Sequence, residues 1–141
     1  MRCEHIMKRN VECVSPGDSV QTAAMRMRDQ NIGFLPVCEK DMKVLGTITD
    51  RDLAIRILAE GRPAATSVHD VMTDEVIACR PEDELRRAEE LMGRHHKSRI
   101  MCVDGNGVLA GVISLSDIAQ QDKASRAAQT MRGVTEREAR A

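Results

Sequence analysis

Aromatic residues are almost missing from this chain, which has neither Trp nor Tyr and only one Phe, Phe34. Stacking on aromatic rings therefore cannot be the main way in which the protein holds a ligand. Nine methionines supply much of the bulk that aromatic side chains usually give to a core. Apolar residues still make up 42% of the 141 positions, enough for one compact domain or two small halves that share a core.

A strong net charge is also missing, because 21 basic residues are balanced by 22 acidic ones. Neither nucleic acid nor a membrane is an expected partner of such a chain. No apolar run approaches the roughly 18 residues that cross a bilayer, so we expect a cytoplasmic protein. The cationic cluster RHHKSR, residues 94–99, is short and lacks interleaved aromatics. It favours a helix end and part of a phosphate rim over a nucleic-acid patch.

Cysteine spacings typical of metal or redox motifs are missing as well. The five cysteines are odd in number and include no C-x-x-C, which suits a reducing compartment. We predict no metal site, because Cys3, His5, Cys13, Cys38 and His69 lack the spacing of zinc ligands. A disulfide or redox pair between Cys13 and Cys38 stays open, since both residues end short predicted strands of the same unit.

Motifs of catalysis are missing too. The sequence has no recognisable nucleophile and histidine set, no paired carboxylates beside an apolar pocket signal, and no Walker-type phosphate loop. Binding without catalysis and without a cofactor is the simpler interpretation.

What the chain does contain is an internal repeat. A shift of 65 positions superposes its two halves without a gap and matches several residues in one register. The matched pairs are Met7 with Met72, Val11 with Val76, Pro16 with Pro81, Asp18 with Asp83, Met27 with Met92, Gly46 with Gly111 and Asp52 with Asp117. We predict a first repeat over residues 1–62, a second over 63–122 and a helical extension or frayed tail over 123–141.

Each repeat is predicted to fold in the order β-α-β-β-α. In the first, a strand over 11–16 precedes a helix that Asp18 caps and whose buried stripe includes Val20, Ala23, Ala24 and Met27. Strands over 32–39 and 44–49 follow, and then a helix from Asp50 to about residue 61. The second repeat has the same order, with strands at 76–81, 99–104 and 108–114 and a last helix over 115–121.

The repeats end in the similar phrases GTITDRDLA, residues 46–54, and GVISLSDIA, residues 111–119. With this β-α-β-β-α order, they make the chain resemble a tandem pair of cystathionine β-synthase (CBS) domains, often called a Bateman module, over about residues 2–122. The resemblance implies an α/β (α+β) fold with two repeats about a pseudo-twofold axis. It also implies binding of AMP, ADP, ATP or a related adenosyl ligand in clefts between the repeats, and a homodimer that regulates an unidentified protein.

The chemistry of the two phrases fits a nucleotide. An ionised carboxylate offers two acceptor oxygens, so Asp52 and Asp117 are predicted to bind ribose hydroxyls. Hydroxyl groups at a strand-to-helix junction suit phosphate, which indicates Thr49 and Ser114, with Ser116 beside them.

Other contacts follow from position. Arg51 lies inside the first phrase, and the resemblance implies a basic phosphate contact at Arg99. Phe34 is the counterpart of Arg99, so the two sites are expected to differ in charge. Aliphatic side chains are predicted to cover the purine, namely Val11, Val76 and Ile77.

Two alternatives remain. Thr49 with Asp52, and Ser114 with Asp117, also match a capping box, in which each pair satisfies the first backbone N–H groups of a helix. The preceding glycine and apolar residues favour a ligand role for at least one pair, because a cap does not require them, and the two roles can be shared. The alternative function is a ligand-free dimeric interaction protein, or a redox-responsive one that uses Cys13 and Cys38.

Overall fold

The computed structural model describes residues 1–121 and 124–139, which form two compact units. One unit spans residues 12–76, and the other joins residues 1–11 to the chain from 77 onward. In the unit 12–76 the elements are α1 (Val20–Gln30), β1 (Phe34–Cys38), β2 (Val44–Thr49), α2 (Asp50–Asp52) with a π-helical continuation (Leu53–Leu58), and α3 (Val68–Val71). In the other unit they are a 3-10 turn (Cys3–His5), β3 (Ala78–Cys79), α4 (Leu85–His95), β4 (Arg99–Val103), β5 (Leu109–Ser114), α5 (Leu115–Gln121) and α6 (Ala124–Ala139).

The two units have similar small sheets. β1 pairs antiparallel with β2, and β4 pairs antiparallel with β5. The first strand of each repeat is shorter than predicted. Val14 makes a single parallel bridge to Val37, whereas β3 pairs with β4 over two residues. A proline two residues after Val14 and another two residues after Cys79, Pro16 and Pro81, explain why each strand ends there, because proline has no N–H to extend a ladder.

Each compact unit combines residues of both sequence repeats. Lys8, from the first repeat, exchanges two backbone hydrogen bonds with Val112, at 2.9 and 3.0 Å. Thr73, the counterpart of Lys8 in the second repeat, does the same with Thr47 at 2.9 Å in both directions. Near the start of each repeat, a short segment around Lys8 or Thr73 therefore pairs with the last strand of the other repeat. We call these two stretches the entry segments.

The buried stripe of α1 was predicted correctly except at Ala24, and its N-cap was misassigned. Val20, Ala23 and Met27 are buried in α1, but Ala24 is exposed at the margin of the stripe. Asp18 is not the N-cap. Ser19 caps α1 by accepting a hydrogen bond from the Thr22 amide at 3.1 Å, while Asp18 accepts from the Ser15 amide and closes the Pro-Gly turn.

The last helix, α6, packs on α4. Gly133 of α6 lies against Gly93 of α4, and the Gly133 carbonyl is 2.8 Å from Nδ1 of His96. The Thr130 hydroxyl donates to the buried Glu89 carboxylate at 3.2 Å. The predicted extension over 123–141 is thus helical from 124 to 139, and positions 123, 140 and 141 lie outside the described residues.

Within residues 1–121 and 124–139, no helix combines the length and the hydropathy that a bilayer crossing requires.

Candidate functional site

Both repeated phrases form a capping box where a strand passes into a helix. Oγ1 of Thr49 accepts from the Asp52 amide at 3.1 Å, and Oδ2 of Asp52 accepts from the Thr49 amide at 3.0 Å. Ser114 and Asp117 repeat this exchange at 3.1 and 2.9 Å. The capping interpretation is therefore confirmed for both pairs, and it uses one oxygen of each carboxylate.

The glycine that opens each phrase has a packing role. A β-carbon on Gly46 would overlap with the carbonyl oxygen of Thr73, and one on Gly111 would lie 2.8 Å from the carbonyl oxygen of Lys8. These are the contacts through which each entry segment joins the neighbouring strand. The glycines are thus explained without a ligand, so they no longer favour a ligand role over a cap.

The second oxygen of each carboxylate faces a cation. Oδ1 of Asp117 is 3.5 Å from the Lys8 ammonium, and Oδ1 of Asp52 is 3.6 Å from the Arg56 guanidinium. The two carboxylate side chains are only 15% and 14% exposed, whereas that of Lys8 is 74% exposed. Each site therefore holds a shielded acceptor oxygen beside a basic group, and the Lys8 side chain is more exposed than that of Arg56, which is 43% exposed.

Hydroxyl and basic groups gather near Asp117. Oγ of the buried Ser114 is 2.9 Å from Oγ of the exposed Ser116. Arg99 is the cross-strand partner of Ser114 in the sheet, just as Phe34 is the partner of Thr49 in the other unit. Arg99 and Phe34, whose difference in charge was noted in the sequence, therefore occupy equivalent positions in the two sheets.

The remaining predicted residues divide between the units. Thr49, Arg51, Asp52 and Val76 lie in the unit 12–76, and Arg51 and Val76 are exposed. The other unit holds Val11, Ile77, Arg99, Ser114, Ser116 and Asp117. Ile77 packs against the core of its unit, which leaves less of its side chain to cover a purine. The ligand roles of all these residues stay predictions.

Arg56 is a site residue that the sequence analysis missed. Besides facing Asp52, its guanidinium donates to the Val71 carbonyl at 2.7 Å and to the Thr73 hydroxyl at 3.1 Å. The signal was the spacing of four residues between Asp52 and Arg56, which brings side chains together on a helix. Arg56 also borders an open groove of about 340 Å³. The groove is lined by Ile55, Arg56, Glu60, Arg62, Asp70, Val71 and Met72.

The predicted cysteine pair and an unpredicted cysteine cluster lie in different units. Cys13 and Cys38 are free thiols, and burial, followed by the nearby Cys13, raises the pKa of Cys38 to about 12. Cys3, Cys79 and Cys102 meet in the core of the other unit, with all three sulfurs within 4.8 Å of one another. Sequence separations of 76 and 23 positions concealed this cluster.

The cluster thiols hydrogen-bond to one another. Bonding to Cys102 and Cys79 lowers the pKa of Cys3 to about 4. The bond with Cys3 raises the pKa of Cys102 to about 12, and bonding to Cys102 and Cys3 also raises that of Cys79. The three thiols therefore titrate as one group.

These features define a duplicated α/β protein with a capped hydroxyl–carboxylate pair in each copy. The CBS domain model matches residues 3–59 and 68–124. The chain therefore belongs to the CBS domain family and carries two such domains in tandem. The resemblance inferred from the sequence is confirmed, and so is the fold class.

Several known proteins are similar to this chain. CBS domain-containing protein YhcV of Bacillus subtilis is 37% identical over 122 residues, which are 86% of either chain. The crystal structure of Hypoxic Response Protein I, with two coordinated zinc ions, has a TM-score of 0.78 at 28% identity and covers 85% of this chain and 98% of that one. The crystal structure of CBSX2 in complex with AMP has a TM-score of 0.74 at 22% identity, over 84% and 93% of the two chains, which is a likeness of fold.

Proposed function

We propose that this chain is a non-catalytic regulatory module that binds an adenine nucleotide or a related adenosyl ligand. The observation that carries the proposal is the state of Asp117, whose Oδ2 holds the helix cap while Oδ1 faces the exposed Lys8 side chain. A carboxylate oxygen that is shielded from water but opposed by a movable cation can accept a ribose hydroxyl when that cation turns away. The complex of CBSX2 with AMP supports the choice of ligand class.

The groups around Asp117 suit the rest of a nucleotide. Ser114 and Ser116 present adjoining hydroxyls, and Arg99 supplies positive charge from the neighbouring strand. Lys8, released from Asp117, becomes a second basic group for a phosphate. The Asp52 site is expected to bind more weakly, because Phe34 replaces the arginine and Arg56 is tied to Val71 and Thr73.

We propose that the bound ligand regulates the protein by changing how much of it occupies each of two conformational or assembly states. A ligand that prefers one arrangement of a homodimer or one partner-binding state stabilises that state, whereas equal affinity for both would change nothing. Sedimentation with and without the ligand measures whether the chain dimerises and whether the ligand changes that equilibrium.

A panel of AMP, ADP, ATP, adenosine and S-adenosylmethionine tests the proposal by thermal shift and calorimetry. A ligand at about 100 times its Kd should stabilise the protein by roughly 2.7 kcal/mol. Asp117→Asn keeps an acceptor for the Ser114 amide but loses the charge at Oδ1, so it should weaken binding about 10-fold with little change in Tm. A flat panel, or full affinity in this variant, would contradict the proposal.

The alternative redox function has less support. The Cys38 thiol of the Cys13–Cys38 pair is buried. Its raised pKa leaves little of the reactive Cys38 thiolate at neutral pH. The same thermal-shift assay under a mild oxidant tests it, because a shift that depends on oxidant and on Cys13 would favour this alternative.

A further inference from the structure

The cluster of Cys3, Cys79 and Cys102 is built as a set of ligands for an ion. Sγ of Cys79 lies 3.4 Å from Sγ of Cys102 and 3.7 Å from Sγ of Cys3. A three-coordinate ion with ion–sulfur bonds of about 2.3 Å holds its sulfurs roughly 3.4 Å apart in a pyramidal arrangement and roughly 4.0 Å apart in a planar one. Small side-chain adjustments would therefore let all three sulfurs reach one ion.

The internal repeat shows that the fold does not require these thiols. Moved by 65 positions, Cys79 and Cys102 correspond to Val14 and Val37, which form the equivalent parallel bridge, and Cys3 corresponds to Val68. All three valines are buried together in the core of the unit 12–76. Aliphatic packing thus fills this place in one unit, while the other unit presents three sulfur ligands.

The number of ligands and their burial restrict the kind of ion. Among residues 1–121 and 124–139, no fourth His, Cys, Asp or Glu joins the group. The three cysteines are between 0% and 3% exposed, so water cannot easily complete a coordination shell. Structural zinc sites almost always have four protein ligands, whereas soft ions such as Cu(I) select thiolates.

We propose that Cys3, Cys79 and Cys102 bind a single soft ion that accepts three sulfur ligands, such as Cu(I) or trivalent arsenic. With arsenous acid, three S–H and three As–O bonds break, three As–S bonds form and three waters leave, so the buried product is neutral. With Cu(I), three S–H bonds break and three Cu–S bonds form, the three protons pass to the buffer, and the site is left with two net negative charges. Neither reaction changes an oxidation state.

A short segment gives a route for entry. Cys3 lies on the 3-10 turn Cys3–His5, which is held by hydrogen bonds from the Cys3 amide to the Asp83 carbonyl at 2.9 Å and from the Glu4 amide to the Pro81 carbonyl at 2.8 Å. In this proposal the ion enters when the turn is released, a local opening that breaks no hydrogen bond of the β4–β5 pair. The bound ion would then fasten the turn in place.

The test uses a background in which only the cluster thiols remain. Cys13→Ala with Cys38→Val copies the counterparts Ala78 and Val103 and should leave the fold intact. In this protein, native mass spectrometry with arsenite, and separately with Cu(I) supplied from a competing chelator, measures stoichiometry, and a thiol assay in denaturant counts protected cysteines. We expect one ion per chain and three protected thiols with at least one of the two probes.

The control is the triple variant C3V/C79V/C102V in the same background, which copies Val68, Val14 and Val37. It should keep the circular dichroism spectrum and the cooperative melting of its parent but lose the bound ion. A folded parent that binds neither probe, or that binds only Zn(II), would overturn the proposal. Equal binding by a folded triple-valine variant would overturn it as well.

Discussion

Gly46 lies so close to the carbonyl oxygen of Thr73 that residue 46 has no room for a β-carbon. Thr73 exchanges backbone hydrogen bonds with Thr47 at this point, so neither backbone can withdraw without breaking them. The pairing of the second repeat's entry segment with β2 therefore requires a glycine at position 46.

Gly46→Ala is expected to destabilise the protein by about 1 to 3 kcal/mol, because the added methyl group must push these two backbones apart. Denaturant unfolding measures the change. Gly17→Ala is the matched control, since nothing lies within 4 Å of its added carbon, and it should be neutral or slightly stabilising. Equal unfolding free energies for the two variants would contradict the explanation of the repeated glycine.

Local order near the repeated phrases could be predicted from the sequence. The predicted strand over 44–49 and helix over 115–121 match β2 and α5, because a short apolar run followed by a hydroxyl–carboxylate pair marks a strand that passes into a capped helix. The capping hydrogen bonds join residues that are only three positions apart in the sequence. Short-range chemistry was sufficient for these features.

Features that depend on tertiary pairing could not be predicted. The bond between Lys8 and Val112 joins residues from different repeats, and the cysteine cluster brings together Cys3 and Cys102, which are 99 positions apart along the chain. Spacing along a chain does not report such distances. Even the N-cap of α1 was misassigned by one residue, because Asp18 and Ser19 are both good caps and the turn before the helix uses Asp18.

Arg99 gives a prediction about the nucleotide phosphate. Arg99→Phe introduces the residue found at the equivalent position, Phe34, and should weaken AMP binding about 10-fold while changing adenosine binding little. Calorimetry with the two ligands measures the ratio of their Kd values. Arg99→Lys, which keeps the charge, should retain most of the preference for AMP. An equal loss for AMP and adenosine would mean that Arg99 does not contact the phosphate.

The contact between α4 and α6 predicts unequal effects of two similar substitutions. A β-carbon on Gly133 would lie 2.7 Å from Cα of Gly93, but one on Gly93 would lie 3.9 Å from Cα of Gly133. Gly133→Ala should therefore loosen α6 from α4, whereas Gly93→Ala should gain helix propensity, by about 0.5 to 1 kcal/mol.

Hydrogen exchange of the α6 amides separates these outcomes. Exchange should become faster in Gly133→Ala and stay unchanged or become slower in Gly93→Ala. The same behaviour in both variants would show that α6 does not pack as described.

The raised pKa of Cys38 predicts a loss of stability at alkaline pH. The folded state holds the thiol proton up to a pKa of about 12, whereas the ordinary value is 9.0, so this contribution is complete below pH 9 and is lost as the pH rises toward 12. Cys38→Val, which copies Val103, removes the titrating group but keeps an apolar side chain. Between pH 8 and pH 10.5 the native protein should lose roughly 1 to 2 kcal/mol more than this variant, because a difference of one pKa unit corresponds to about 1.4 kcal/mol. Parallel urea titrations at the two pH values measure the difference. Identical losses would show that the Cys38 thiol ionises as easily in the folded chain as in the unfolded one.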